Sequence, residues 1–301
     1  MNLSAWIHSF RLRTLPLAFA SIITGSGLAW AEGSFRGPVF VLALITTLFL
    51  QILSNLANDY GDFIHGVDND TRVGPKRTLQ AGLLTPEQMI RGLWIVSFLA
   101  SIFGVWLILE SIGSFSWSAS GVMAVLGLLA IGAAVTYTMG KNPYGYSGLG
   151  DVAVFFFFGW VGVLGTFFLH SHSLSWSLVL PASTIGLFTM AVLNINNMRD
   201  SRADSEAGKH TLVVRIGIKN ARIYHLVLNS VAVGLTLVFL VWNDQGIVPL
   251  HYLFLILIPV LVKINLGILN TDSLEGLDVF LKRQAIFTFF FSVLFSTGIN
   301  L

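Results

Sequence analysis

Two stretches of the sequence carry asparagine and aspartate residues at a spacing that could form a metal site. They are Asn58, Asp59 and Asp62 in the first stretch and Asn196, Asp200 and Asp204 in the second. Residues four apart share one face of a helix, so each stretch would present a stripe of oxygen atoms. Stacked carboxylates repel one another unless a cation lies between them, and Mg²⁺ bridges one or two carboxylates to substrate phosphates. The spacing therefore predicts an Mg²⁺ site formed by both stripes.

Basic residues close to each stripe indicate what the metal would bind. Arg72 and Arg77 follow the first stripe, while Arg199 and Lys209 lie within or after the second. Cations beside a carboxylate–metal site are suited to bind a diphosphate and to neutralise it as a leaving group. The alternative is that the acids are solvated helix ends and that the basic residues only set membrane topology.

A third cluster contains Tyr137 and Lys141. Four residues apart on the predicted helix, the two side chains share a face, so a phenol and an ammonium group could approach the same leaving group. The alternative is an interfacial tyrosine with a lysine whose charged end extends to water.

Composition identifies the elements that must position these residues. The chain has 301 residues, of which 54% are hydrophobic and 11% are charged, and its mean hydropathy is +0.77. A soluble domain carries roughly 25% charged residues, so this composition indicates a polytopic membrane protein. The absence of cysteine excludes disulfides, cysteine-ligated metals and thiol catalysis, and a net charge of +2 gives no indication of a nucleic-acid partner.

Nine apolar segments are long enough to cross a bilayer as helices, so we predict an all-α single domain over 1–301. The predicted spans are 14–32, 38–57, 92–112, 119–139, 150–169, 176–195, 224–242, 248–268 and 284–300. All basic residues except Arg36 and Lys263 then fall on one side, which predicts a cytoplasmic N-terminus. The order suggests two related four-helix halves plus a ninth helix, with 58–90 and 196–223 as cytoplasmic cap loops that face each other.

The two stripes resemble the paired aspartate-rich motifs of the UbiA superfamily of intramembrane aromatic prenyltransferases. Tyr137-x-x-x-Lys141 is similar to the tyrosine–lysine element of that family, and the resemblance extends over essentially the whole chain. One position departs from the pattern, because Gly66 stands where the broader family often has a further aspartate. Asp68 and Asp70 are the candidates to replace that aspartate from the following loop.

Residues 13–16, 51–62 and 140–145 are similar to the menaquinone branch of the family. This resemblance implies Mg²⁺-dependent transfer of a polyprenyl chain from its diphosphate to 1,4-dihydroxy-2-naphthoate, with loss of CO₂ and diphosphate, at the cytoplasmic face of a bacterial inner membrane. It implies catalytic roles for Asp62, Tyr137, Lys141 and Asp200. It also implies diphosphate contacts from the basic residues named above, with Lys141 among them.

Two alternatives stay open at this point. A sibling prenyltransferase would use 4-hydroxybenzoate or another aromatic acceptor. A secondary transporter would be expected to place charges near the bilayer midplane, whereas almost all the acids here lie at one set of helix ends.

Overall fold

In the computed structural model of the chain, every regular element in the described residues is a helix. The described residues are 3–68, 73, 76–112, 117–243 and 248–301. Eight of the helices are long and apolar enough to cross a membrane, and the count is nine if a bent pair near the N-terminus forms one span. The predicted all-α, membrane-spanning class is therefore confirmed.

The bent pair consists of α1 (Leu3–Phe10) and α2 (Leu15–Ala31), which meet at an angle of 52°. The eight spans are α3 (Gly37–Ile64), α4 (Pro86–Ser111), α5 (Trp117–Thr136), α6 (Gly150–Ser171), α7 (Val179–Glu206), α8 (Leu212–Asn243), α9 (Pro249–Asn270) and α10 (Leu277–Gly298). The middle of α6, Phe155–Leu164, is π-helical, and α9 opens with a 3₁₀ segment, Pro249–Leu257.

The two helices that carry the stripes are longer than their apolar segments predicted. The predicted spans ended at residues 57 and 195, but α3 continues to Ile64 and α7 to Glu206. The predicted cap loops are accordingly shorter, because 58–64, 86–90, 196–206 and 212–223 are helical. Hydropathy locates only the apolar part of a helix, whereas the polar ends are held here by ion pairs between side chains.

Helix α3 ends in a Schellman motif, which explains the glycine at position 66. Gly66 has a φ of +70°, and the N–H of Val67 donates to the carbonyl of Asp62 at 2.9 Å. A residue with a side chain is strained in this left-handed conformation. Position 66 therefore terminates the helix and turns the chain.

Helix α7 ends in the same way. Gly208 has a φ of +73°, and the N–H of Lys209 donates to the carbonyl of Asp204 at 2.7 Å. Asp62 and Asp204 thus occupy equivalent positions in two identical helix ends. We call the end of the bundle where α3 and α7 terminate the motif end.

Helix α7 is the most buried span and packs against α6, α8 and α10. The largest core cluster belongs to this region and includes a T-shaped pair of Phe188 and Phe291 whose ring centroids are 4.8 Å apart. Helix α5, by contrast, packs only on α3 and α4 to any extent and exposes most of its surface. Helix α7 is therefore central in the bundle, and α5 lies at its periphery.

Candidate functional site

A cavity of about 400 Å³ lies among helices α2 to α7. Most of its lining is apolar, with side chains such as Leu50, Phe157 and Val161. Its polar lining includes Arg11, Thr14, Gln51, Asn55, Asn58, Tyr137 and Asn196. The cavity therefore offers an apolar chamber that begins beside both stripes.

Asp62 is the centre of the first stripe. Its side chain is 3% exposed, and Oδ2 accepts a 2.7 Å hydrogen bond from Nη1 of Arg77. Oδ1 accepts a 2.7 Å bond from the phenol of Tyr146 and lies 3.5 Å from Nζ of Lys209. Three groups from distant parts of the chain thus converge on one buried carboxylate.

Asp59, which we predicted as a metal ligand, does not lie with Asp62. It forms an ion pair with Arg11, and its Oδ1 lies 3.6 Å from Nε of Arg77. One residue along a helix turns a side chain by about 100°, so Asp59 leaves the face that Asn58 and Asp62 share. Asp59 is thus held by two arginines, and its role as a metal ligand stays a prediction.

Asn58, a predicted metal ligand, lines the cavity. Its side-chain oxygen accepts a 3.3 Å hydrogen bond from the hydroxyl of Thr138, and its main-chain oxygen accepts a 2.9 Å bond from Nη1 of Arg77. Asp68 lies in the loop after the first stripe, with Oδ1 3.3 Å from Nε of Arg77. Asp70 and the predicted diphosphate ligand Arg72 lie outside the described residues.

The second stripe is organised by Arg199. Its Nε and Nη2 donate to the two oxygens of Asp200, each at 2.8 Å, and Nη2 also donates to the side-chain oxygen of Asn196 at 2.9 Å. Its Nη1 donates to Asp278 at 2.6 Å. We predicted Arg199 as a diphosphate ligand, but protein acceptors engage its Nε and both terminal nitrogens. Arg199 thus contacts two residues of the second stripe, and its contact with diphosphate stays a prediction.

Lys209 joins the two stripes. Its Nζ lies 3.5 Å from Oδ1 of Asp62 and 3.5 Å from Oδ1 of Asp204, and its side chain is 10% exposed. Burial alone would lower the pKa of Lys209, but the two carboxylates outweigh burial and raise it, so the ammonium stays charged. One ammonium group, that of Lys209, thus lies next to a carboxylate of each stripe.

The oxygen groups of this site fit a hard cation. Within the described residues no three carboxylates or histidines are close enough to hold a metal ion by themselves. However, Oδ2 of Asp204 is buried without a hydrogen-bond partner, and the neighbouring groups supply only oxygen ligands. Mg²⁺ commonly takes one or two carboxylates and completes its shell with water and phosphate oxygens. The ligands that the protein contributes can come from three aspartates and two asparagines: Asp62, Asp200, Asp204, Asn58 and Asn196.

Tyr137 and Lys141 do not share a helical face, contrary to our prediction. Helix α5 ends at Thr136, and the chain turns through Gly140, whose φ is +102°. Tyr137 lines the cavity, whereas Lys141 is exposed beside a separate groove. The prediction failed because it extended the helix past its true end.

Tyr146 is a site residue that the sequence reasoning missed. Besides its bond to Asp62, its ring lies under Nζ of Lys209, 5.1 Å from the ring centroid. Burial, followed by the charge of Asp62, raises the pKa of the Tyr146 phenol, so the hydroxyl remains protonated and donates. The one feature of the sequence that points to Tyr146 is the glycine-rich stretch around it, residues 145–150, which allows the chain to turn closely there.

Comparison with known proteins agrees with this geometry. The model of the UbiA prenyltransferase family matches residues 18–294. The chain is 44% identical to the 1,4-dihydroxy-2-naphthoate octaprenyltransferase of Escherichia coli, over 99% of this chain and 95% of that protein. It is 42% identical to the protein of the same name from Haemophilus influenzae, over 99% and 96% of the two chains.

Solved structures share the fold at low sequence identity. An apo UbiA homolog from Aeropyrum pernix has a TM-score of 0.65 and 17% identity, over 96% of this chain and 97% of that one. A UbiA homolog from Archaeoglobus fulgidus, bound to GPP and Mg²⁺, has a TM-score of 0.62 and 14% identity, over 96% and 99% of the two chains. The fold, the paired stripes and the family match agree: this chain is a multi-pass membrane protein that belongs to the UbiA prenyltransferase family.

Proposed function

We propose that the protein transfers a polyprenyl chain from its diphosphate to 1,4-dihydroxy-2-naphthoate, with loss of CO₂ and diphosphate. The observation that carries the proposal is the meeting of two carboxylate stripes at Lys209, beside a largely apolar cavity of about 400 Å³. The choice of acceptor rests on relatives of that name that match nearly the full chain at 42–44% identity.

The motif end would bind the diphosphate. Asp62, Asp200 and Asp204, with Asn58 and Asn196, would hold Mg²⁺, which supplies positive charge to the diphosphate when bound. Lys209 lies between the stripes and is the described cation best placed to neutralise the leaving group. Arg77, which is paired with Asp62, would add a second positive charge near the leaving group. Arg72 and Lys141 stay predicted ligands of the diphosphate.

The cavity would bind the organic parts of both substrates. Its apolar walls suit an isoprenoid tail and exclude water, which protects an allylic cation from hydrolysis. Arg11, Gln51 and Asn55 supply a polar patch for a hydroxyaromatic acid. Attack through the ring carbon that bears the carboxylate would release CO₂ and restore the aromatic ring.

The membrane placement is part of the same proposal. The predicted excess of basic residues on one side supports a cytoplasmic position for the motif end and the diphosphate, and the bacterial inner membrane is what the family resemblance implies. A labelling reagent that cannot cross the membrane should then reach a cysteine introduced at exposed Arg202 only from the cytoplasmic side.

The acceptor can be tested directly. Purified protein is incubated with polyprenyl diphosphate, Mg²⁺ and either 1,4-dihydroxy-2-naphthoate or 4-hydroxybenzoate, and the product mass is measured. We expect a prenylated, decarboxylated product from the naphthoate only. A product from 4-hydroxybenzoate alone would replace the proposed acceptor with that of a sibling enzyme.

Replacing Gly208 with alanine should reduce transfer as well as stability. The left-handed backbone at Gly208 costs a residue with a side chain roughly 1–2 kcal/mol, and a shift there displaces Lys209. Gly33 is a matched control, because it has a φ of +71° and open surroundings like Gly208 but lies at the opposite end of the bundle. Both alanine variants should lose similar thermal stability, and only Gly208→Ala should lose turnover. Equal turnover of the two variants would contradict the placement of Lys209.

Replacing Tyr146 with phenylalanine should lower kcat/KM about tenfold, the effect of losing one hydrogen bond to a charged group. The ring would stay under Lys209, so the change isolates the bond to Asp62. Tyr252→Phe, at the far end of α9, is the control and should behave as wild type. Steady-state kinetics on both variants give the comparison, and an unchanged Tyr146→Phe would show that the phenol does not orient Asp62.

A further inference from the structure

Helix α10 carries a carboxylate that the proposed chemistry does not use. Asp278 lies in the first turn of α10, and its Oδ1 accepts a 2.6 Å hydrogen bond from Nη1 of Arg199. The side chain of Asp278 is 41% exposed, whereas that of Arg199 is 3% exposed. A partly exposed acid of the last span therefore holds a buried guanidinium group of α7.

Arg199 connects Asp278 to the second stripe. Its Nε and Nη2 hold both oxygens of Asp200, and Nη2 also holds the side-chain oxygen of Asn196. A guanidinium group is planar and its N–H bonds point in fixed directions. When an acceptor holds Nη1, the directions of Nε and Nη2 are restricted as well. Asp278, Asp200 and Asn196 are therefore linked through one planar group, which restricts their relative positions.

We propose that Asp278 is a positioning residue for the diphosphate site. Acting through Arg199, it holds Asp200 and Asn196 in the orientation that receives a divalent cation together with diphosphate. The inference rests on the proposed function, because that proposal makes Asp200 and Asn196 groups that face the metal. It gives the ninth span a role in the site, although Asp278 is 79 residues away from Arg199 in the chain.

Loss of Asp278 should change the site without unfolding the protein. An ion pair with a partner this exposed contributes little to stability. Arg199 would still be paired with Asp200, so no buried charge would be left alone. The expected defect is thus one of orientation, and it should be visible in metal binding.

The experiment measures binding of Mn²⁺ by electron paramagnetic resonance, with inorganic diphosphate present and no aromatic acceptor. The variants are Asp278→Ala, Asp278→Asn and Asp278→Glu in the full chain. Glu275→Gln is the control, because Glu275 is an exposed acid of the same turn, and its main-chain oxygen accepts the N–H of Asp278.

We expect the half-saturating Mn²⁺ concentration to rise about tenfold for Asp278→Ala, the effect of one lost charge-assisted hydrogen bond. Asp278→Asn, which keeps an acceptor, should give a smaller rise, and Asp278→Glu should restore binding. The control should match the wild type, and all variants should unfold at the same temperature. In kinetics, the defect of Asp278→Ala should shrink at saturating Mg²⁺.

A wild-type Mn²⁺ midpoint for Asp278→Ala would overturn the proposal. An equal shift in Glu275→Gln would do the same, because it would show a general effect of charge. The readout contains no acceptor, so the two proposals can fail separately. A protein that binds Mn²⁺ and diphosphate as described but prenylates no naphthoate would refute the proposed function and leave the role of Asp278 standing.

Discussion

Replacing Asp62 with asparagine should lower kcat/KM for prenyl transfer about a thousandfold, within the range found when one preorganised electrostatic group is removed from a catalytic site. Asp62 accepts bonds from Arg77 and Tyr146 and lies beside Lys209, so its charge organises the motif end. Steady-state transfer by detergent-purified protein measures the effect.

The variant should still fold, which makes the result interpretable. Asparagine keeps the shape of the side chain, Arg77 retains Asp59 and Asp68 nearby, and Lys209 retains Asp204. Asp272→Asn, an exposed acid between α9 and α10, is the control for the change of charge. A rate for Asp62→Asn within tenfold of the wild type would mean that Asp62 is not a metal-facing group.

Removal of divalent cations should abolish transfer and leave the fold intact. Chelation with excess EDTA takes away the positive charge that the diphosphate needs as a leaving group. The carboxylates themselves are already paired with Arg77, Arg199 and Lys209, so the protein does not depend on a metal to neutralise them. The thermal unfolding midpoint should therefore be the same with and without EDTA, and excess Mg²⁺ should restore turnover. Full turnover in EDTA would contradict the metal assignment.

The stripes were predictable from the sequence because their chemistry follows helical periodicity. Asp62 and Asp204 each lie four residues beyond another stripe residue, and the glycines four positions after them end both helices alike. The nine apolar segments locate the spans for a similar reason, since each must satisfy its backbone hydrogen bonds as a helix in lipid. Local patterns therefore indicate both the fold class and the carboxylates.

Two partners of those carboxylates, Arg11 and Tyr146, were not predicted, because they come from distant parts of the chain. Asp59 pairs with Arg11, and Arg11 reaches it through a left-handed backbone with a φ of +48°. Tyr146 reaches Asp62 from a short 3₁₀ helix, Tyr144–Ser147, that is too brief to show a periodic pattern in the sequence. The error at Lys141 has the opposite cause, since a local pattern was extended past the end of α5. A four-residue spacing places two side chains on one face only where the helix includes both residues.

The most direct test of the central claim follows the carboxyl carbon of the acceptor. Purified protein is given polyprenyl diphosphate, Mg²⁺ and 1,4-dihydroxy-2-naphthoate labelled in its carboxyl group, and released CO₂, released diphosphate and prenylated product are counted together. Prenyl transfer to the carboxyl-bearing carbon predicts equal amounts of the three, each formed about a thousandfold more slowly with Asp62→Asn at the same protein concentration. A prenylated product that retains the label, or diphosphate release without any prenylated product, would contradict it.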